Sequence, residues 1–124
     1  MELVQSRIVT DDVPGLATFY AALAGVDVVV NDYYLEIPAL SMGFSQYRFS
    51  AFTGCEGPPG LRRGEIVLDF SVADVDREFE RIERLGVDWV HPPTDQPWGA
   101  RAMLFRDPEG RPVNIFSRPL AVAS

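Results

Sequence analysis

The sequence predicts an α+β domain made of two similar halves, each with the element order βαβββ. A Gly-Val-Asp tripeptide begins at Gly25 and again at Gly86, 61 positions apart in a chain of 124 residues. Each copy follows a segment with helical spacing of apolar residues and precedes a short stretch typical of a strand. Repetition at half the chain length indicates a duplicated supersecondary unit. The two units together predict eight strands and two helices.

The first helix is predicted to begin after Asp12 and to end before Gly25. The Asp12 carboxylate can accept hydrogen bonds from the first free amides, and Pro14 lies in the first turn, where its missing N–H has no cost. A glycine after the last turn can adopt the left-handed conformation that ends a helix. The apolar residues expected to face the core are Leu16, Phe19, Tyr20 and Leu23.

The second helix shows the same signals. Asp74 is the predicted N-cap, Gly86 follows the last turn, and Glu80 and Arg84 are spaced to form an i,i+4 ion pair. The apolar stripe expected to face the core consists of Val75, Phe79, Ile82 and Leu85.

The remaining periodic segments are predicted as strands. Those of the first half are 3–9, 27–30, 33–37 and 47–52, and those of the second half are 66–72, 88–91, 102–105 and 113–117. The segment 54–64 is rich in glycine and proline and is the predicted linker. The chain is thus expected to be one domain over 1–124, with a first module of about 1–53 and a second of about 65–118.

Composition restricts the classes of function. The net charge of −7 argues against nucleic acid as a partner and favours a cationic ligand. No apolar run is long enough to cross a membrane, so no membrane partner is expected. The single cysteine, Cys55, cannot form an internal disulfide, which fits a cytoplasmic protein.

The most informative motif is the acidic turn Asp107-Pro108-Glu109-Gly110, which is followed by a strand carrying Asn114. Proline fixes φ and Gly110 supplies a conformation that other residues resist, so the stretch predicts a hairpin. This ending resembles that of the glyoxalase/bleomycin-resistance/extradiol-dioxygenase families, the vicinal oxygen chelate superfamily. Further features of the resemblance are Phe19-Tyr20, the Val-x-Asp that starts the second helix, and Pro97-Trp98-Gly99.

The resemblance implies a curved eight-stranded sheet around a cup that holds the ligand, and a homodimer in most members. In metal-dependent members, one ligand lies on the first strand, one on the first strand of the second half, one on the last strand and one near 49–53. The first three positions correspond here to Gln5, Val67 and Asn114, and the residues near 49–53 are mostly apolar. Catalytic Zn, Ni or Fe needs imidazole, thiolate or carboxylate ligands. No cofactor is therefore predicted; the alternative is a divalent metal ion at Gln5 and Glu65.

Strand alternation indicates which side chains enter the cup. Arg7 and Asp69 are both expected there, and two interpretations are open: one of them binds a charged ligand group, or the two neutralise each other, which is favoured because buried charges are rarely unpaired. Trp98 is either a lid over the ligand or a residue that closes the sheet edge. The predicted ligand-binding residues are Gln5, Arg7, Phe52, Asp69, Trp98, Asn114 and Phe116.

Three functions follow from these observations. The favoured one is metal-free binding of a small, cationic or aromatic molecule, which resembles the drug-sequestering bleomycin-resistance branch. The second is a divalent-metal-dependent lyase or dioxygenase of the glyoxalase type with unusual ligands. The third is a metal-free isomerase or lyase in which Asp69 acts as acid and base.

Overall fold

The computed structural model describes residues 1–46, 61–96 and 99–118. These residues form an α+β fold with one mixed sheet of seven strands and two helices. The elements in chain order are β1 (Glu2–Thr10), α1 (Val13–Ala24), β2 (Tyr34–Ile37), β3 (Met42–Gln46), β4 (Ile66–Ser71), α2 (Val75–Glu83), β5 (Asp88–Asp95), β6 (Arg101–Arg106) and β7 (Pro112–Ser117). A single 3₁₀ turn, Pro38–Leu40, separates β2 from β3.

The strand order is β2-β3-β1-β4-β7-β6-β5, so the first strands of the two halves, β1 and β4, lie side by side at the centre. β1 and β4 run antiparallel, while β3 is parallel to β1 and β7 is parallel to β4. Arg7 pairs with Gly43, and Asp69 pairs with Asn114. Arg7 and Asp69 also precede the two helix caps, Asp12 and Asp74, by the same number of residues. Arg7 and Asp69 therefore hold the same position relative to the helix that follows, and Gly43 and Asn114 pair with them on the adjacent parallel strands.

The first half differs from the prediction at two segments. Residues 27–30 do not form a strand. Val26 and Val28 instead pack against the core beside α1, so this segment is held by apolar contacts and not by hydrogen bonds to a neighbouring strand. Conversely, β3 was not predicted, because Met42–Gln46 lacks a run of β-branched residues and contains Gly43. The predicted strand 47–52 lies outside the described residues, so an eighth strand stays a prediction.

The first helix confirms its predicted caps. The Asp12 carboxylate accepts a hydrogen bond from the Gly15 amide, and Gly25 ends the helix with a φ of 71°. The prediction that Phe19 and Leu23 face the core is wrong, since they are 61% and 70% exposed. The small residues Ala17 and Ala21 face the sheet instead. Phe19 and Leu23 each follow one of these alanines by two residues, which turns them about 200° around the helix axis, toward solvent.

The second helix also confirms its cap, since Asp74 accepts hydrogen bonds from the amides of Asp76 and Arg77. The predicted ion pair between Glu80 and Arg84 forms at 3.9 Å. The prediction that Leu85 belongs to the apolar stripe is wrong. Leu85 is 67% exposed, because the helix ends at Glu83.

Apolar clusters lie on both faces of the sheet. Ile8 of β1 packs against the cluster under α1, and Phe70 of β4 packs against the cluster under α2. Both helices therefore cover the same face of the sheet. A third cluster of fully buried residues includes Val9 and Val67, which alternate with Ile8 and Phe70 and so lie on the opposite face; its members are Val9, Leu61, Val67 and Leu104.

The acidic turn between β6 and β7 confirms the predicted hairpin. The Gly110 amide donates to the Asp107 carbonyl at 2.9 Å, and Gly110 has a φ of 87°. The Asp107 amide in turn donates to the Arg111 carbonyl at 2.8 Å. Within the described part of the chain, neither helix is long and apolar enough to cross a membrane.

Candidate functional site

The candidate site lies on the sheet face opposite the two helices, which we call the cup face. Gln5, Arg7, Asp69 and Asn114 all lie there on the three central strands, and each is 3–8% exposed. The strand alternation used in the sequence analysis thus brings four of the seven predicted ligand-binding residues together. Polar groups so deeply buried require partners, since an unpaired buried charge is costly.

The centre of the site is a buried ion pair between Arg7 and Asp69. The guanidinium binds the carboxylate with two hydrogen bonds, from Nε to Oδ2 at 2.9 Å and from Nη2 to Oδ1 at 3.1 Å. Arg7 Nη1 also donates to Ser45 Oγ at 2.9 Å. The geometry is the bidentate arrangement that arginine and a carboxylate favour. The structure therefore shows the two charges neutralising each other, which was the favoured interpretation of the sequence.

Two amide side chains complete the hydrogen bonds of the carboxylate. Gln5 Nε2 donates to Asp69 Oδ2 at 2.8 Å, and Asn114 Nδ2 donates to Asp69 Oδ1 at 3.0 Å. With the two bonds from Arg7, each carboxylate oxygen accepts two hydrogen bonds. The Asp69 carboxylate is consequently saturated and has no remaining oxygen position directed at a ligand.

The network reaches the surface through Tyr34 and Glu36. Gln5 Nε2 also donates to Tyr34 Oη at 3.0 Å, and the Tyr34 hydroxyl donates to Glu36 Oε1 at 2.5 Å. Burial and the adjacent Glu36 carboxylate raise the pKa of Tyr34 well above its usual value. Tyr34 therefore stays protonated at physiological pH and holds the Gln5 amide in one orientation.

A glycine makes room for this amide. A Cβ at Gly43 would lie 2.7 Å from Gln5 Nε2 and 2.8 Å from Gln5 Oε1, closer than real Cβ contacts occur. Gly43 pairs with Arg7 as Asn114 pairs with Asp69, so β3 carries no side chain where β7 carries an amide. This absence is what allows Gln5 to reach both Asp69 and Tyr34.

The Asn114 side chain has one atom without a partner. Its Nδ2 is bound to Asp69, but its buried Oδ1 accepts no hydrogen bond from the described residues. Two positions further along β7, Phe116 is half-buried, so the cup face becomes more accessible there. The guanidinium of Arg118 lies 5.6 Å from the centre of the Phe116 ring.

The alternative metal pair, Gln5 and Glu65, is not brought together. Gln5 pairs with Asp69, whereas Glu65 lies beside Val9, about four residues or ~13 Å along the strand. Glu65 is instead bound to Arg106, with Nη1 to Oε2 at 2.7 Å. That hydrogen bond lowers the pKa of Glu65. Among residues 1–46, 61–96 and 99–118, no group of three His, Cys, Asp or Glu side chains is arranged to hold a metal ion.

Two predicted ligand-binding residues, Phe52 and Trp98, lie outside the described residues. The structure adds three residues that the sequence analysis did not select: Tyr34, Gly43 and Ser45. Gly43 and Ser45 lie on β3, the strand that was not predicted, so their place on the cup face could not be deduced. Tyr34 lies on a predicted strand, and alternation along it could have identified this residue.

The buried His91 should make the free energy of unfolding depend on pH. It is the single histidine, it is 1% exposed, and burial lowers its pKa from the usual 6.5. The unfolded chain therefore binds this proton more readily than the folded chain, so the free energy of unfolding should fall as the pH drops below about 6.5. Denaturant titrations at pH 7 and pH 5 should show a smaller decrease for His91→Leu than for the wild type. Equal decreases would contradict the prediction.

Comparisons with known proteins agree with this architecture. Residues 6–116 match the profile of the glyoxalase-like domain family. The uncharacterized protein YraH of Bacillus subtilis (strain 168) is 26% identical over 125 residues, which cover 94% of this chain and 98% of that protein.

Two solved structures share the fold. One is described as an NAD-dependent benzaldehyde dehydrogenase from Legionella pneumophila, with a TM-score of 0.70, 16% identity and coverage of 93% of this chain and 98% of that chain. The other is a glyoxalase/bleomycin resistance protein/dioxygenase superfamily member from Vibrio splendidus 12B01, with a TM-score of 0.57, 11% identity and coverage of 91% and 96%. Because the family profile spans most of the sequence, the chain belongs to the glyoxalase-like domain family and to the superfamily that its sequence resembles.

Proposed function

We propose that this protein binds a small aromatic molecule in its cup without a metal ion. The single observation that carries the proposal is the saturated Asp69 carboxylate, which ties Gln5, Arg7 and Asn114 into one neutral network. Such a network presents amide groups and the ring of Phe116 to a ligand, and these groups suit an organic molecule better than a cation of high charge.

The donor set does not fit a catalytic metal. At three of the positions that hold ligands in metal-dependent members, this chain has Gln5, Val67 and Asn114. Two neutral amides and a hydrocarbon do not supply the imidazole or carboxylate ligands that Zn, Ni or Fe requires. The N–H₂ groups of both amides also donate to Asp69, and these hydrogen bonds hold the two side chains in place. A metal-dependent lyase or dioxygenase is therefore the less favoured alternative.

Acid–base catalysis by Asp69 is also less favoured. A general base must reach the proton that it removes through a free oxygen. Both oxygens of Asp69 already accept two hydrogen bonds, and two of the four donors belong to Arg7. To accept a proton from a substrate, Asp69 would have to lose one of these hydrogen bonds, although the residue is only 3% exposed.

A binding screen under chelation tests the proposed function. Ligand-observed NMR with small aromatic compounds, on protein held in excess EDTA, should give hits that lose affinity in Asn114→Leu. Leu85→Ala, which changes an exposed apolar residue after α2 and outside the candidate site, is the control and should leave the hits unchanged. Hits that appear only after a divalent metal is added back would overturn the metal-free function.

The proposal includes a homodimer in the cytoplasm. Several large apolar residues are exposed on and after α1, which supports an interface with a second copy; they are Phe19, Leu23, Val29 and Val30. The single cysteine supports a reducing compartment. Light scattering should give twice the 13.8 kDa chain mass, and a monomeric mass would contradict the dimer.

A further inference from the structure

The unsatisfied Asn114 Oδ1 specifies the chemistry of the ligand. The Asn114 side chain is 6% exposed, and its other polar atom is fixed by a 3.0 Å hydrogen bond to Asp69 Oδ1. Turning the amide over would place its oxygen against the carboxylate, so Oδ1 must point away from Asp69. A buried acceptor with no donor destabilises the site, and a ligand donor would remove that cost.

The residues that flank this buried oxygen on the neighbouring strand and further along β7 are apolar. Asn114 pairs with Leu104 of β6, which is fully buried, and Ala102 of the same strand pairs with Phe116. Phe116 is half-buried and follows Asn114 along the cup face. A ligand that reaches Oδ1 from this side must therefore place an apolar or aromatic body beside Phe116.

The charges beside the site disfavour a charged ligand. The carboxylate of Asp69 is neutralised by Arg7 and has no oxygen position left, so it cannot compensate a cation. The guanidinium of Arg118 on the Phe116 ring adds positive charge beside Phe116, which further disfavours a cation. A carboxylate ligand would place its oxygens against the Asn114 acceptor, which repels them. Burying a cation without a partner is costly.

We propose that the cup binds an uncharged aromatic molecule through an N–H or O–H group that donates to Asn114 Oδ1, while the aromatic ring packs beside Phe116. A primary carboxamide or a phenol has the required donor. This inference rests on the proposed function and narrows its ligand class. It also replaces the cationic ligand expected from the net charge, because that charge is carried by the whole surface whereas the selectivity arises from the neutral network in the cup.

Three matched probes test the inference: benzamide, benzamidine and benzoate share one ring and differ in the charge of the polar group. The reporter is the side-chain ¹⁵N–¹H₂ signal of Asn114, which is assigned by its loss in Asn114→Leu. In excess EDTA, benzamide should shift this signal saturably, with an affinity at least about tenfold higher than that of either charged probe, which corresponds to about 1.4 kcal/mol.

The contrary results separate this inference from the proposed function. If benzamidine or benzoate binds as tightly as benzamide without metal, the uncharged class is wrong and metal-free binding stands. If benzamide moves the Tyr34 signals but leaves those of Asn114 unchanged, the hydrogen bond to Asn114 is wrong and metal-free binding stands. If no probe binds while other aromatic compounds do, the proposed ligand class is wrong and metal-free binding again stands. If every aromatic compound requires added metal, both proposals fall.

Discussion

Replacing Asp69 by asparagine should destabilise the protein by about 3–5 kcal/mol, the usual cost of breaking a buried ion pair by removing one partner. The substitution preserves the shape of the side chain but removes the charge that compensates Arg7, whose side chain is 6% exposed. It also places an N–H₂ group opposite donors from Gln5, Arg7 or Asn114. Denaturant unfolding of wild type and Asp69→Asn at pH 7 measures the difference.

An exposed ion pair is the matched control for Asp69→Asn. Glu80 and Arg84 are both almost 80% exposed and lie 3.9 Å apart. Glu80→Gln should therefore cost no more than about 0.5 kcal/mol. A cost for Asp69→Asn as small as that of Glu80→Gln would show that the network is not the centre of this site.

The variant Gly43→Ala should lose about 1–3 kcal/mol, the usual cost of adding a methyl group to a filled interior. The new Cβ would meet the Gln5 amide at 2.7–2.8 Å. Gln5 is not free to move aside, because its Nε2 is bound to both Asp69 and Tyr34. The measurement is again the free energy of unfolding, together with the side-chain amide signal of Gln5, which should shift.

A double-mutant cycle isolates the contact that Gly43→Ala creates. In a Gln5→Ala background the amide is absent, so the added methyl group should cost less than in the wild type. The coupling between neighbouring residues of this kind is about 0.5–3 kcal/mol. Additive costs would mean that Gly43 is needed for another reason than the position of Gln5.

The sequence predicted the central strands better than the edge of the sheet. Ile8 of β1 and Phe70 of β4 were expected to face the helices, and they do. Because side chains alternate along a strand, the burial of Gln5, Arg7 and Asp69 on the opposite face could be deduced. The ion pair followed from the rule that buried charges are paired.

Other features could not be predicted because they depend on tertiary contacts. The chain 27–30 has strand-like composition but lies beside α1, where packing of Val26 and Val28 decides its conformation. β3 has weak strand propensity and gains its place through parallel pairing with β1. For α1, the sequence did not show that small alanines would face the sheet and leave Phe19 and Leu23 exposed.

The measurement that tests the central claim most directly is the metal content of untagged, freshly purified protein, determined per chain by mass spectrometry before and after soaking in Zn, Ni, Fe or Mn. The neutral network around Asp69 predicts far less than one metal ion per chain in both samples. A content near one ion per chain that is lost in Gln5→Ala would contradict this account and identify the protein as a metal-dependent member of the family.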